Sequence, residues 1–289
     1  MKLVSFNSPK FSLYFLALFV SFQAYADRTG FAKKFSIPPI EDSHIVMGQT
    51  YVNELDPNSI KVLVWNLLKA ERKDWSKDFT NLAEKKDLLF LQEGYLNPVM
   101  ESTFDRMYPF RFDFGVSFLY NNDNFTPTGS VLGSKVTPVS TGVMRSRDLE
   151  PFIKTPKMIT YGVYPIADSS KELLALTIHG VNFTNTKAFK NQINDALKLI
   201  DQHEGPVVFA GDFNTRNQER MKFLRNKMFA RNFKEVTFWN DKRKSFLGVP
   251  LDHAFAKGML VRDSRVVLDV KSSDHKALEI EFAVDPSTN

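Results

Sequence analysis

Four apolar, strand-like runs in this chain each end in a short polar cluster. The run at residues 206–210 is followed directly by Gly-Asp-Phe-Asn at residues 211–214. The other three clusters are Trp65-Asn66, Gln92-Glu93 and Ser273-Asp274-His275. Catalytic groups in layered α/β folds lie on loops that a rigid sheet holds at its strand ends. The pattern therefore predicts that Asn, Glu, Asp and His side chains gather at one end of a sheet, where they suit a hard cation and a phosphate ester.

Strand-like runs recur along the chain, and helical periodicity is rare. The periodicity predicts one clear helix at residues 187–203 and two weaker ones at 74–85 and 218–231. Many strands with few helices do not fit a doubly wound sheet, so we expect one α/β domain with a two-sheet core and helices outside. Residues 121–141 carry turn signals. The predicted strands are residues 60–65, 87–92, 111–118, 157–164, 173–179, 207–210, 252–256, 265–270 and 277–282.

The first 26 residues have the pattern of a signal peptide. Lys2 and Lys10 precede or flank an apolar run at residues 11–22, and Ala24-Tyr25-Ala26 matches a cleavage site before Asp27. We expect an exported protein, periplasmic or secreted, with an uncleaved membrane anchor as the alternative. Residues 27–58 are predicted to be an irregular N-terminal lead segment, residues 59–284 the folded domain and residues 285–289 a tail.

Charge and cysteine content exclude several classes of site. The formal net charge is +5, and removing Lys2 and Lys10 with the signal peptide leaves +3, which permits polyanion binding without demanding it. No dense basic stripe with interleaved aromatics, typical of nucleic-acid binding, is present. The absence of cysteine rules out disulfides, thiolate metal sites and cysteine nucleophiles.

The polar clusters together resemble the endonuclease/exonuclease/phosphatase (deoxyribonuclease I-like) superfamily. Its members include deoxyribonuclease I, abasic-site endonucleases, neutral sphingomyelinases and inositol polyphosphate 5-phosphatases. The resemblance implies a four-layer α/β sandwich, with two mixed β-sheets packed face to face and helices outside. The wording of several stretches is similar to the bacterial YafD-like branch, which generally carries no assigned substrate. The matching motifs lie at residues 65–66, 91–93, 179–182, 211–214, 251–253 and 273–275.

The resemblance assigns the catalytic residues. His275 is the general base, since an imidazole titrates near neutral pH, and Asp252 is the carboxylate that orients it. Asp212 contacts the nucleophile or the leaving-group oxygen. His179 contacts the phosphate or acts as general acid, in the style of deoxyribonuclease I and the sphingomyelinases.

The remaining predicted residues bind metal or substrate. Glu93 ends a buried run, where a carboxylate needs a partner, and Mg²⁺ would satisfy it. By resemblance Glu93 is the principal metal ligand, with Asp274 beside it and Asn66 supporting the site. Asn214, Asn182 and Lys69 are predicted to bind the phosphate. Functional and solvated roles stay open for Arg145, Arg147 and Arg216, whereas His203 and His253 are predicted to be structural.

These residues predict an exported phosphoesterase that uses Mg²⁺, with Mn²⁺ possible as the alternative ion. In-line attack by activated water on a phosphodiester, as in a nuclease acting on DNA or RNA, is the leading hypothesis. The alternatives are a phosphatase or phospholipase C-like hydrolase of lipid headgroups or small phosphate esters and, from another class, a non-catalytic binding protein. The partner is expected to be the phosphate-ester substrate alone, and the protein a monomer without a stable protein partner.

Overall fold

Strands form most of the fold. The computed structural model describes residues 34–121 and 124–288, so the predicted signal peptide lies outside the described residues. In chain order the strands are β1 (Phe35–Ser36), β2 (His44–Gly48), β3 (Ile60–Asn66), β4 (Leu88–Tyr95), β5 (Arg111–Tyr120), β6 (Thr126–Ser134), β7 (Ser140–Arg145), β8 (Met158–Pro165), β9 (Glu172–His179), β10 (Val207–Asp212), β11 (Lys234–Glu235), β12 (Ser245–Phe246), β13 (Val249–Pro250), β14 (Asp252–Lys257), β15 (Met259–Val266) and β16 (Leu278–Val284).

Two mixed sheets account for most of these strands. The first, eight-stranded, has the order β1-β5-β6-β4-β3-β16-β15, with β2 also paired to β5. The second, six-stranded, has the order β11-β14-β10-β9-β8-β7, and β12 pairs with β13 in a separate hairpin. In each sheet one parallel pair, β3–β4 and β9–β10, lies at the centre, so the carboxyl ends of each pair meet at one edge.

Helices cover the outer face of each sheet. Besides short 3₁₀ turns, the described chain contains α1 (Trp75–Ala83), α2 (Pro98–Asp105), α3 (Thr186–Asp201) and α4 (Gln218–Phe229). The side chains of Asn97, Asn185 and Asn217 cap α2, α3 and α4 by accepting hydrogen bonds from backbone N–H groups of the first turn.

The alternation of side chains along each strand builds the layers. On β3, Val62 and Val64 lie in the core between the sheets, whereas Leu63 and Trp65 pack beneath α1 and α2. On β10, Val208 and Ala210 face the central core, and Phe209 packs beneath α3 and α4. Because both faces are covered, these strands are apolar along their central residues, 62–65 in β3 and 207–210 in β10. The four-layer sandwich of two mixed sheets with helices outside is thus confirmed.

Two predicted segments differ from the structure, and one helix was not predicted. Residues 34–58 are not an irregular lead: β1 and β2 pair with β5, and Leu55 enters the central core. The predicted strand at 265–270 is wrong, because β15 is Met259–Val266 and residues 267–270 leave the sheet. β15 is an edge strand with many exposed charges, so it lacks an apolar period. Helix α2 was not predicted, since its eight residues bury only a short apolar stripe.

Within residues 34–121 and 124–288, no helix is both long enough and apolar enough to cross a bilayer.

A buried polar network stabilises the edge of the second sheet. The His253 imidazole is fully buried, with Nδ1 3.1 Å from Glu235 Oε1 and Nε2 3.0 Å from Thr215 Oγ1. Arg225 Nε donates to Glu235 Oε2 at 2.7 Å. Burial alone would raise the pKa of Glu235, but the hydrogen bonds from His253 and Arg225 lower it to about 2. His253 is thus a structural residue that connects β14 to the segment after Asp212.

We expect Glu235→Gln to lower the free energy of unfolding at neutral pH by about 1–2 kcal/mol, after discounting for solvent screening. The wild-type carboxylate has a folded-state pKa of about 2, below its ordinary 4.5, so its contribution is present above pH 4.5 and is lost as pH falls towards 2. Urea unfolding across this range checks it, with Glu204→Gln, at an 86% exposed side chain, as control. A difference that stays constant down to pH 2 would contradict this account.

Candidate active site

Two rows of polar residues meet where the central strands of both sheets end. In the second sheet, Asp212 on β10 is register partner to both His179 on β9 and Asp252 on β14. In the first sheet, Asn66 on β3 is register partner to Gln92 on β4. Face-to-face packing of the sheets brings the rows together: Asn66 Nδ2 donates to Asp212 Oδ2 across the interface at 3.1 Å.

A β-bulge directs Glu93 into this site. The β4–β6 register shifts between Leu91 and Gly94, and Glu93 has a φ of 52°, in the left-handed region. Gln92 points into the interface instead, where its Nε2 donates to Thr177 Oγ1 of the second sheet at 2.9 Å. The bulge therefore gives two successive side chains different tasks, Gln92 joining the sheets and Glu93 facing the site.

The Gly211–Asn214 turn requires its glycine. Gly211 has a φ of 140°, and a Cβ there would lie 2.3 Å from the carbonyl oxygen of Ile178. Beyond it, the backbone N–H of Asn214 donates to Asp212 Oδ1 at 3.0 Å. Asn214 Nδ2 donates to the carbonyl oxygen of Gly180 at 3.0 Å. The Asn214 amide thus joins the turn to the loop after β9 and keeps one N–H for a ligand.

His275 and Asp252 form a close buried pair. His275 Nδ1 lies 2.9 Å and 2.8 Å from the two carboxylate oxygens of Asp252. Ser273 Oγ accepts from the His275 backbone N–H at 3.1 Å and donates to the Asn66 carbonyl at 2.7 Å, which fixes the loop. Burial alone would lower the pKa of His275, but Asp252, by charge and hydrogen bonding, and the charge of Asp212 raise it to about 9.

His179 is shifted in the opposite direction. Its Nε2 lies 3.8 Å from both Glu93 Oε1 and Asp212 Oδ2. Burial, together with the positive charges of Lys157, His275 and Lys69, lowers its pKa well below the ordinary value. His179 is therefore neutral at neutral pH, which fits a hydrogen-bond partner of a phosphate better than a general acid. Two imidazoles whose pKa values are pushed apart are typical of acid–base sites.

Asp212 lies between the two imidazoles and is 2% exposed. Its Oδ2 is 3.8 Å from Nε2 of His179 and 3.8 Å from Nε2 of His275. Burial, and the charges of Asp252 and Glu93, raise its pKa to about 6, although His275 opposes this. A buried carboxylate with a raised pKa can exchange a proton with a reacting oxygen near neutral pH.

The donor set fits a hard divalent cation. Asn66 Nδ2 bridges Glu93 Oε1 and Asp212 Oδ2, at 3.1 Å from each, so two carboxylates converge on one point. Burial alone would raise the pKa of Glu93, but Lys157, the hydrogen bond from Asn66, Lys69 and His275 lower it, so the group is ionised. Its side chain is 25% exposed and accessible. Carboxylate oxygens are what Mg²⁺ and Mn²⁺ prefer.

A second possible metal group fits less well. Donor atoms of Asp212, Asp252 and His275 lie within 4.8 Å of one another. Both Asp252 oxygens, however, already accept from His275 Nδ1, and an imidazole with a pKa of about 9 is protonated at neutral pH. The contacts among these three residues therefore suit proton exchange better than metal binding, and the ionised, partly exposed Glu93 suits the ion better.

Asp274 is placed differently from the other predicted ligands. Its exposed carboxylate forms an ion pair with Lys244. Among the described residues, no hydrogen bond or ion pair joins it to Glu93, Asn66 or Asp212. Metal ligation by Asp274 stays a prediction, and it would require the carboxylate to leave Lys244.

Two cations contribute to the potential at the site. Lys69 lies in a turn of left-handed residues after Asn66, with its ammonium 5.7 Å from the ring centre of Tyr120. Burial alone would lower the pKa of Lys69, but Tyr120, Glu93 and Glu71 raise it, so it stays charged. Lys157 was not predicted, because no motif marks the start of β8. Its charge acts on both Glu93 and His179.

The loop after β9 places Asn182 beside this cation. Glu150 accepts from the Asn182 backbone N–H at 2.9 Å, and its other oxygen is 3.5 Å from Lys157 Nζ. The Asn182 side chain oxygen accepts from the backbone N–H of Phe183 at 2.8 Å, which leaves its amide N–H groups as the donors for a ligand. This arrangement fits a phosphate contact.

Arg220 fixes both asparagine loops from behind. Although Arg220 is only 2% exposed, its guanidinium pairs with no carboxylate of residues 34–121 or 124–288 and donates to backbone carbonyls of Val181, Asn214 and Thr184 at 2.6–2.9 Å. It also stacks on Phe189, 5.1 Å from the ring centre. Sequence patterns did not reveal it, since an Arg on a helix is usually solvated.

The weaker candidates lie elsewhere or act structurally. Arg145 donates to Pro38 O at 2.6 Å and Ser43 Oγ at 2.5 Å, and Arg147 pairs with Asp195 on the surface. His203 Nε2 lies 2.9 Å from the carbonyl of Glu172, at the other end of the second sheet. Arg216 lies at the edge of the site, close to the aromatic rings of Phe183 and Phe246.

Known proteins share both the sequence pattern and the fold. The sequence model of the family described as "Endonuclease/Exonuclease/phosphatase family" matches residues 63–275 of this chain. A UPF0294 protein of Vibrio cholerae serotype O1 is 32% identical over 237 residues, which cover 81% of each chain. The human Nocturnin catalytic domain with bound sulfate aligns with a TM-score of 0.59 at 19% identity, covering 86% of this chain and 100% of that one.

A mannosyl-6-phosphatase of Bacteroides thetaiotaomicron aligns with a TM-score of 0.56 at 17% identity, covering 78% of this chain and 99% of that one. At such low identities the two structural likenesses support the fold alone.

Replacing Asp252 with Asn should move the pKa of His275 from about 9 to near or below its ordinary 6.5. The carboxylate charge that opposes burial would be lost, whereas the hydrogen bond can be kept. An NMR titration of the imidazole in metal-free protein checks it, with Asp195→Asn, at a surface pair, as control. A His275 pKa that remains near 9 in Asp252→Asn would show that Asp252 is not the cause.

Proposed function

The chain belongs to the endonuclease/exonuclease/phosphatase family, in its UPF0294 (YafD-like) branch, and on that premise we propose that it is a phosphodiester hydrolase dependent on Mg²⁺ or Mn²⁺. Members of this family are hydrolases of phosphate esters. One observation carries the proposal: the His275–Asp252 pair faces the carboxylate cluster of Glu93 and Asp212 at one end of the sandwich.

The buried pair supplies a proton acceptor with a fixed direction. Asp252 holds Nδ1 of His275, so Nε2 is the atom left to exchange a proton with water. Asp212 Oδ2, 3.8 Å from that nitrogen, can share the proton. A divalent cation bound by Glu93 would polarise the phosphate and, by offsetting carboxylate charge, lower the pKa of His275 towards the working pH. His179, Asn182, Asn214 and Lys157 would position the phosphate oxygens.

The sequence favours nucleic acid as the substrate, with lipid headgroups or small phosphate esters as the alternative. The exposed apolar side chains beside the site, Phe152, Phe183, Phe246 and Leu247, support the lipid alternative. Export directed by residues 1–26 would place the enzyme in the bacterial envelope, where such lipids are accessible. Export, like the choice of ion, is part of the proposal.

Catalysis is tested by the hydrolysis of bis(4-nitrophenyl) phosphate with Mg²⁺, with Mn²⁺ and with EDTA. His275→Ala should lower kcat by roughly 10²–10⁴-fold, the range typical of a general base. His203→Ala, at the opposite end of the second sheet, is the matched control and should retain wild-type turnover. Near wild-type turnover in His275→Ala, or undiminished turnover in EDTA, would exclude the proposed mechanism.

Metal binding separates the hydrolase from a non-catalytic binding protein. Isothermal titration with Mg²⁺ should give one site in the wild type and at least a 10-fold weaker site in Glu93→Gln, since the variant loses a charged oxygen ligand. Asp274→Asn, measured in parallel, determines whether the second predicted ligand contributes. A folded wild-type protein that binds neither Mg²⁺ nor Mn²⁺ would leave the binding-protein alternative.

A further inference from the structure

Large apolar side chains are exposed beside the candidate site. We define the apolar rim as Phe152, Phe183, Phe246 and Leu247, with exposures of 80%, 59%, 42% and 86%. Scattered exposed apolar residues are ordinary on protein surfaces, but contiguous ones mark interaction surfaces. Contacts among these four side chains, and their distance from the site, decide which of the two cases applies.

Ring contacts make the rim continuous. The rings of Phe152 and Phe183 are 6.0 Å apart, edge to face. The Arg216 guanidinium lies over the rings of both Phe183 and Phe246, 4.3 Å and 4.9 Å from their ring centres. Leu247 follows Phe246 in the chain.

The rim also adjoins the phosphate contacts of the site. Phe183 follows Asn182 directly in the chain. Arg216 comes two residues after Asn214. Phe183 of the rim and the neighbouring Arg216 therefore lie on the two loops that carry Asn182 and Asn214.

Two of the rim residues lie at loop tips. Phe152 lies in the segment between β7 and β8, and Leu247 lies with Gly248 at the turn of the β12–β13 hairpin. Leu247 and Gly248 have φ values of 49° and 78°, and no atom lies within 4 Å of a Cβ built on Gly248. The hairpin tip thus projects into open space, and nothing in the fold requires its leucine to be apolar.

Cations without partners accompany the rim. Lys154, Arg216 and Lys242 have no carboxylate within ion-pair distance in the described part of the chain. Their neighbours Arg243 and Lys244, by contrast, are paired with Asp241 and Asp274. The rim therefore combines apolar tips with a net positive charge, as expected of a surface that binds an anionic membrane interface.

The same details disfavour a nucleobase platform. Stacking needs free planar faces. The Arg216 guanidinium already contacts two rings, those of Phe183 and Phe246. Leu247, the most exposed rim residue, is aliphatic and cannot stack. Apolar insertion into a bilayer, in contrast, uses aliphatic and aromatic tips equally.

We propose that the apolar rim docks the protein on an anionic lipid bilayer, with Phe152 and Leu247 inserted and Lys154, Arg216 and Lys242 against the headgroups. Phe183 and Arg216 lie on the loops that carry Asn182 and Asn214, so docking presents headgroup phosphates to the site. Docking stands by itself, whereas the conclusion that the substrate is a membrane phosphodiester rests on the proposed function.

The test measures binding to vesicles by sedimentation, separately from hydrolysis. The protein beginning at Asp27 holds every described element and lacks the apolar run at residues 11–22, which could itself bind lipid. It should sediment with phosphatidylglycerol/phosphatidylcholine vesicles more strongly than with pure phosphatidylcholine, and less as salt increases. The double variant Phe152→Ser/Leu247→Ser should bind at least 10-fold more weakly, because each tip residue contributes apolar burial.

The matched control is Tyr108→Ser. Tyr108 is 68% exposed and precedes β5, whose first residues lie at the opposite end of the first sheet from Glu93. This variant should bind vesicles like the wild type. A second double variant, Lys154→Glu/Lys242→Glu, should lose the preference for phosphatidylglycerol while the apolar tips stay intact.

Three outcomes would overturn the docking proposal. The first is that wild-type protein does not sediment with anionic vesicles. The second is that the tip variant binds vesicles as strongly as the wild type does. Alternatively, the tip variant could lose binding to single-stranded DNA and keep vesicle binding, which would assign the rim to nucleic acid. Hydrolysis of soluble bis(4-nitrophenyl) phosphate should be unchanged in the tip variant. If only the docking proposal is wrong, the protein hydrolyses bis(4-nitrophenyl) phosphate but does not bind vesicles. If only the proposed function is wrong, the protein binds vesicles but does not hydrolyse this substrate.

Discussion

Negative charge concentrated at one end of the sandwich is the constraint on which the site depends. Glu93, Asp212 and Asp252 converge there, and like charges at close range cannot all stay ionised without compensation. The fold compensates them in two ways: His275 is held as a cation beside Asp252 and Asp212, and the Asn66 amide donates to both Glu93 and Asp212. A divalent cation would complete this balance, which is the physical basis for expecting one.

Positioning of these groups relies on buried polar contacts that no catalytic motif contains. Gln92 joins the two sheets next to Glu93, and Ser273 connects the His275 loop to β3. Arg220 donates to carbonyls of the two asparagine loops, Val181, Asn214 and Thr184. Left-handed φ values at Glu93 and Asn214 lie within this framework, so local backbone strain occurs where the structure around it is most constrained.

The apolar rim beside the candidate site is a surface that the two sheets constrain little. The candidate catalytic residues lie at strand ends, whereas the rim lies on loops and on the small β12–β13 hairpin outside the two sheets. Loops of this kind vary readily without cost to the core. The combination of a phosphate site and projecting apolar tips suits an ester held at a membrane interface, where substrate and enzyme share a surface.

Motif order and strand-end position were enough to predict the fold and a set of residues that the structure brings together. Buried strands with polar ends are a local pattern, so His179, Asp212, Asp252, Asn66 and Glu93 could be named as candidates from the motifs, and their roles stay predictions. Only the tertiary structure decided which imidazole is charged, because the pKa of each depends on burial and on charges from other strands. The roles of Lys157 and Arg220, and the exposure of the rim, also depend on contacts between segments far apart in the chain. Strands β1 and β2 and the shifted β15 escaped detection for the same reason, since their pairing is with distant partners and their own residues carry no period.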